Sequence, residues 1–390
     1  MPHSRRSFLG TATALVGGAT MIPMLQARGM EASWAGTDPL ERALAGGFDV
    51  NGIIRLNSNE NPYGPSSKAI DAVLKSFDAA NRYPRDSDAA LRSAIAKRHG
   101  VKDENVLIGA GSGETLRIAT EAFTSATAHL VAAAPTFENP ITAATRLQRP
   151  IKAPKVDAQF RLDLDAMAAA SPGSGLVFVC NPNNPTGTAY PLSDVLALVD
   201  KVNRASPGAR ILIDEAYFEY CDLPGYDTAI PAALSNKSLI VSRTFSKIFG
   251  LAGMRAGYAI AHADTIKALE PWRMANGVSA ITAAAAVASC DLDDHVKRQS
   301  VLNREVREFT LKTVNAAGFK AHPTYTNFIL VEVGRDPNEF QKACLAKGVA
   351  IGRAFPPLDK HARISVGTMD EMQRALPIVL GILKGGRADG

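Results

Sequence analysis

The feature that most restricts how this chain can fold is a regular alternation of short apolar runs with amphipathic stretches. The apolar runs span 105–110, 129–134, 175–180, 210–213, 238–242 and 257–261, and each reads as a buried strand. Between 191 and 205, Leu192, Val195, Leu196, Leu198 and Val199 recur at helical spacing. Strand–helix alternation of this kind builds an α/β domain, a mostly parallel sheet with helices on both faces.

Beyond a long helical region over 281–317 the pattern changes. Runs at 328–333, 349–352 and 362–366 read as strands, with a helix over 337–347 between the first two, so a smaller α+β lobe is expected. The stretch 51–68 is rich in Asn, Pro, Gly and Ser and reads as extended or looped. At 390 residues the chain exceeds one small core. The expected division is a large domain over 76–282 and a small domain over 283–386 joined by an N-terminal arm over 37–75.

The chemistry-bearing residues follow strands. Gly111-Ser112-Gly113-Glu114-Thr115 follows the first, Cys180-Asn181-Pro182-Asn183-Asn184-Pro185-Thr186-Gly187 the third, Asp214-Glu215-Ala216-Tyr217 the fourth and Thr244-Phe245-Ser246-Lys247 the fifth. In open α/β sheets ligands bind outside the carboxyl ends of the strands, so these segments are candidates for one cleft. The glycine-rich turn lets backbone N–H groups approach an anion at the start of a helix. No lysine follows it, which disfavours a nucleotide-binding P-loop. Lys247 sits among Thr244, Ser246 and Arg255, groups suited to phosphate. A desolvated lysine near other cations has a lowered pKa and acts as a Schiff-base nucleophile. Asp214 ends an apolar run, where a carboxylate needs a cationic partner; a protonated pyridine nitrogen is one, and a helix-capping role remains open to it.

These segments resemble the fold-type I, class I/II aminotransferases that depend on pyridoxal phosphate, and are similar to the histidinol-phosphate aminotransferase family. The matching stretches run from Leu56 to Thr368 and include Asn57-Ser58-Asn59-Glu60-Asn61-Pro62-Tyr63-Gly64, Arg82-Tyr83-Pro84, Asn183-Asn184-Pro185-Thr186-Gly187, Gly253-Met254-Arg255 and Arg363-Ile364-Ser365. The resemblance implies pyridoxal 5′-phosphate as cofactor and ping-pong transfer of an amino group from an amino acid, or a histidinol-phosphate-like amine, to a 2-oxo acid. It implies that Lys247 forms the internal aldimine and shuttles a proton, that Asp214 pairs with the pyridine nitrogen, and that Asn184 and Tyr217 hydrogen-bond the phenolic oxygen. Backbone amides of Ser112, Gly113 and Glu114, with Thr244, Ser246 and Arg255, would hold the phosphate. Tyr83 would reach a phosphate across a homodimer interface, and Phe137 would stack on the ring, although a core Phe is the plain alternative. Arg363 would bind the substrate carboxylate or equivalent anion, with Arg353, Asn327 and Asn59 as further substrate-side positions. A decarboxylase, a lyase or a non-catalytic cofactor-binding protein on the same fold remain the alternatives.

The first 36 residues read as a leader and linker. Ser4-Arg5-Arg6-Ser7-Phe8-Leu9-Gly10 followed by a modestly apolar stretch to Met24 fits a twin-arginine export signal, and hence a periplasmic or otherwise exported protein. That stretch is too short and too rich in Gly, Ala and Thr for a permanent span. A formal charge of +5 without a Lys/Arg stripe argues against a nucleic-acid partner. Cys180, Cys221, Cys290 and Cys344 are scattered without metal spacing, so neither a metal site nor a disulfide framework is expected.

Overall fold

The computed structural model describes residues 52–385; the expected leader, and the arm as far as residue 51, lie outside them. Seven strands form the main sheet: β2 (Val106–Gly109), β3 (His129–Ala132), β4 (Ile151–Lys152), β5 (Ser174–Cys180), β6 (Arg210–Asp214), β7 (Leu239–Thr244) and β8 (Gly257–Ala261). Their spatial order is β2-β8-β7-β6-β5-β3-β4. Every pairing is parallel except those of β8, which runs antiparallel to both β2 and β7. The reason is local. The link between β7 and β8 holds only a 3-10 turn, Ala252–Met254, and no α-helix of the kind that usually carries a parallel return across the face of a sheet. Because β8 reverses, β2 still points the same way as β5, β6 and β7, and the motifs at their carboxyl ends share one edge of the sheet.

The central strands are apolar along their whole length, as expected of a sheet covered on both faces: all seven residues of β5 and all five of β8 are buried. One face packs Val177, Val179, Ile211, Ile213 and Val241 into a core with the helix Leu192–Ala205 through Val195, Leu198, Val199 and Val202. The other packs Leu176, Phe178, Leu212 and Ile240 against Leu116 and Ala119 of the helix Ser112–Phe123.

The smaller lobe holds β9 (Phe328–Glu332) paired antiparallel with β11 (His361–Ser365), and β1 (Ile54–Leu56) paired parallel with β10 (Val349–Ile351). Its core gathers Ile329, Val331, Val349, Ile351 and Ile364 with Phe340, Met372 and Val379 from the flanking helices. The short strands β1 and β4 and the helices Ser67–Ser76 and Arg85–His99 are additions to the sequence reading.

Packing draws the boundary between lobes away from 75/76 and 282/283. Ala69 of the helix Ser67–Ser76 and Ala283, Ala285, Ala286 and Cys290 of the helix Ala280–Cys290 all sit in the large lobe's core. The helical region over 281–317 is two helices broken at Asp291 and Leu292, and the second, Asp293–Ala316, carries the chain between lobes, with Val296 packed on the large lobe's core and Val306 and Val314 in the small lobe's.

Candidate active site

A cavity of about 530 Å³ opens at the shared carboxyl edge of β2, β5, β6 and β7, where the small lobe and the segment 57–60 close over it. It is lined by Ser112, Gly113, Phe137, Asn184, Asp214, Tyr217, Thr244, Ser246, Lys247 and Arg255 from the large lobe, by Arg353 and Arg363 from the small one, and by Asn59.

Its base is the end of β6. Asp214 is 1% exposed, and its Oδ1 has no hydrogen-bond partner. Burial raises the carboxyl from 3.8 to about 7, against a backbone hydrogen bond from Ala216 and the positive charge of Lys247. A buried acceptor left open in this way is complementary to a cationic or N–H group delivered by a ligand.

Lys247 stands three residues after β7, with Nζ donating to the backbone carbonyls of Asn59 at 3.1 Å and Ser58 at 3.4 Å. Desolvation first, and then the guanidinium of Arg363, bring its ammonium down from 10.5 to about 8. About a tenth is therefore the neutral, nucleophilic amine at pH 7, far more than for a solvated lysine.

The anion-binding corner forms where β2 turns into the helix Ser112–Phe123. Gly111 caps that helix at φ +83°, and a Cβ there would lie 2.3 Å from Arg255 Nη2. The first-turn N–H groups of a helix lack intrahelical acceptors and favour an anion. Arg255 Nη1 donates to Ser246 Oγ at 3.2 Å, and Thr244 Oγ1 accepts from the Ser246 N–H at 3.1 Å, which sets both hydroxyls beside the turn.

On the opposite wall, Arg363 leaves β11 almost fully buried. Nη1 donates to Asn184 Oδ1 at 2.7 Å and Nη2 to the Asn57 carbonyl at 2.9 Å, while Nε is unpartnered. Burial lowers its pKa to about 10. Arg353 pairs with Glu138 at the cavity's mouth.

Three expected residues are not brought into the cavity. Glu114 faces away from the anion corner. Its carboxylate accepts from the Ala110 and Met274 N–H groups and pairs with Arg117, and its own N–H is taken by the Gly111 carbonyl. Asn327 lies behind the 57–60 segment and donates to the carbonyls of Asn59 and Glu60 at 3.0 and 3.2 Å. It supports that wall and does not itself line the cavity. Tyr83 is 82% exposed, outside the cavity of this chain.

Glu138, Asn139, Gln341 and Phe355 line the cavity without having been singled out from sequence. Only the placement of Glu138 and Asn139 just after Phe137 hinted at a role. Gln341 and Phe355 carry no local signal.

The residues present fit pyridoxal phosphate: a nucleophilic lysine, an orphaned buried carboxylate opposite it, and an anion corner with an arginine. The comparisons agree. The family described as aminotransferase class I and II matches residues 51–379. A histidinol-phosphate aminotransferase of Moorella thermoacetica is 37% identical over 324 residues, 82% of this chain and 82% of its own length. One from Geobacillus thermodenitrificans is 34% identical, covering 86% of this chain and 92% of that protein. The histidinol-phosphate aminotransferase of Sinorhizobium meliloti, solved with pyridoxal-5′-phosphate, superposes with a TM-score of 0.79 at 25% identity, over 85% of this chain and 91% of that one.

Proposed function

This chain belongs to the aminotransferase class I and II family, and from that premise we propose that it exchanges the amino group of an α-amino acid with a 2-oxo acid, as an exported homodimer. The reaction class and cofactor follow from the family: it is a pyridoxal-phosphate-dependent aminotransferase. When bound, the cofactor supplies an electron sink for charge developing at the substrate Cα.

The chain's own residues supply the rest. Lys247 is the amine that would hold the cofactor, and its Nζ would take and return the Cα proton. Asp214, with Oδ1 open, would hold a proton on the pyridine nitrogen. Ser112, Gly113, Ser246, Thr244 and Arg255 would hold the phosphate, Tyr217 and Asn184 would sit beside the phenolic oxygen, and Phe137 beside the ring.

The observation that carries the substrate reading is Arg363. A buried planar guanidinium in the cavity suits a carboxylate bidentately, and anchoring that carboxylate favours loss of the Cα proton over loss of CO₂. A second reading has an amine bearing a phosphate in that place, favoured by the relatives named histidinol-phosphate aminotransferase at 32–37% identity. Single-turnover conversion of the cofactor to its amino form, scanned over amino acids and histidinol phosphate, separates the two. Conversion by histidinol phosphate and, among amino acids, only by the one that the 2-oxo acceptor yields would reject the first.

For the homodimer, the support is a set of exposed apolar residues: Leu74, Phe77, Tyr83, Trp272 and Met274. The segments bearing Tyr83 and Trp272 are tied together by the Arg273–Asp88 ion pair. Light scattering of the holoenzyme should give twice the chain mass. For export, the support is the Arg5-Arg6 pattern, and replacing both with lysine should leave the protein in the cytoplasm.

A further inference from the structure

The mouth of the cavity carries a charge arrangement that the transfer reaction itself does not require. Glu138 comes from the large lobe, immediately before the helix Asn139–Arg146, and Arg353 from the small lobe, just after β10. Their side chains pair across the seam between lobes, each about half exposed. The Arg353 Cζ lies 4.2 Å from the centre of the Phe355 ring, and the Arg363 Cζ lies 4.5 Å from the same ring. Gly352 sets this juxtaposition. Its N–H donates to the Arg363 carbonyl at 2.9 Å, and a Cβ there would stand 2.7 Å from that oxygen.

Besides Arg255 at the anion corner, two guanidiniums from the small lobe thus face the cavity, as they would in a site for a substrate with two anionic groups. One of them is already matched. Glu60, the other glutamate lining the cavity, is paired with Arg55 at 3.3 Å, so Glu138 is the carboxylate that meets Arg353. Asp214 lies at the base of the cavity, at the end of β6. A half-exposed pair of this kind is held by no more than about a fivefold preference, so it can open. A second carboxylate or phosphate arriving at Arg353 would nevertheless have to displace Glu138 and then sit next to its negative charge. Across a partly desolvated seam that repulsion adds to the displacement.

We infer that Glu138 is a specificity-determining residue: by occupying Arg353 it selects substrates with a single anionic group, held by Arg363, against dicarboxylates and phosphate-bearing acids. The inference rests on the reading of Arg363 as the carboxylate anchor.

The test measures binding, not turnover. Dissociation constants of glutarate and butyrate are determined by calorimetry on the holoenzyme at constant ionic strength, for the unsubstituted chain, Glu138→Gln, Arg353→Gln and the double variant. Glu138→Gln should tighten glutarate about tenfold while butyrate stays within twofold, and adding Arg353→Gln should abolish the gain. Unchanged glutarate binding in Glu138→Gln, or an equal tightening of both acids, would overturn the inference. Arg363→Gln tests the premise separately: butyrate binding that survives it would remove Arg363 as anchor whatever Glu138 does. Melting curves of each variant confirm that the fold is retained.

Discussion

The side-chain amide of Asn59 donates to the Tyr217 hydroxyl at 3.0 Å, while the Asn59 oxygen accepts from Ser365 Oγ at 2.9 Å and its backbone N–H donates back to that hydroxyl at 2.8 Å. One residue, at a left-handed φ of +54°, therefore joins the N-terminal segment to the end of β6 and to the end of β11. The Asn59 carbonyl also receives Lys247 Nζ and the Asn327 amide. The segment 57–60 is a hub through which both lobes hold the cavity's Tyr217 and Lys247.

Asn59→Ala should leave the Ser365 hydroxyl and the Tyr217 hydroxyl short of partners in a buried site, a cost of about 1–3 kcal/mol in stability. Turnover should fall roughly tenfold as Tyr217 loses its fixed orientation. Denaturant unfolding and kcat measured on the same preparation check both effects; unchanged kcat with lowered stability would confine Asn59 to a structural role.

Asp214 carries a pH dependence of known sign. Its folded-state pKa, near 7, lies above its ordinary 3.8, so the apo-protein binds the extra proton more tightly than the unfolded chain does. Stability is fully present below about pH 4 and is lost as pH rises through 7, by on the order of 4 kcal/mol. Asp214→Asn should flatten that portion of the stability–pH curve and stabilise the apo-protein at pH 8, yet weaken cofactor binding. A curve of unchanged slope would count against the buried, unpaired carboxylate.

Lys247 should set the pH at which the apo-protein captures its cofactor. With the ammonium lowered to about 8, the neutral amine grows as pH rises through that value. The rate of cofactor loading, followed by stopped-flow absorbance, should climb from pH 6.5 and level above about 9. A midpoint near the ordinary lysine value would mean that the amine is solvated in the apo-protein.

Arg363→Lys preserves charge but not shape. The lysine cannot serve both Asn184 Oδ1 and the Asn57 carbonyl while holding a carboxylate with two parallel bonds. KM for amino acids should rise by about 30- to 100-fold, corresponding to roughly 2–3 kcal/mol, with little change in cofactor affinity. If KM stays within threefold, the substrate anion is held elsewhere.

The strand-end motifs were legible because each is a continuous run whose position after an apolar strand assigns it to one edge of the sheet. Lys247, Asp214, Tyr217, Asn184 and Arg255 all line one cavity for that reason. Residues whose roles depend on a distant partner were not legible in the same way. Glu114 reads as part of the anion turn, yet Met274, 160 positions away, takes its carboxylate. Asn327 reads as a pocket residue, yet it faces the far side of the segment it supports.

By itself, then, the sequence determined the α/β class, the shared edge of the sheet and the place of Lys247 at that edge, since apolar periodicity and contiguous motifs act over a few residues. Only the tertiary structure decided the reversal of β8, the passage between lobes along the helix Asp293–Ala316, and the meetings of Asn59 with Tyr217 and of Glu138 with Arg353. Each of those meetings joins segments some 160 to 215 residues apart. Hydrogen bonds and ion pairs reach only a few ångströms, so which distant groups come within range is set by the packing of the two lobes and not by any local pattern.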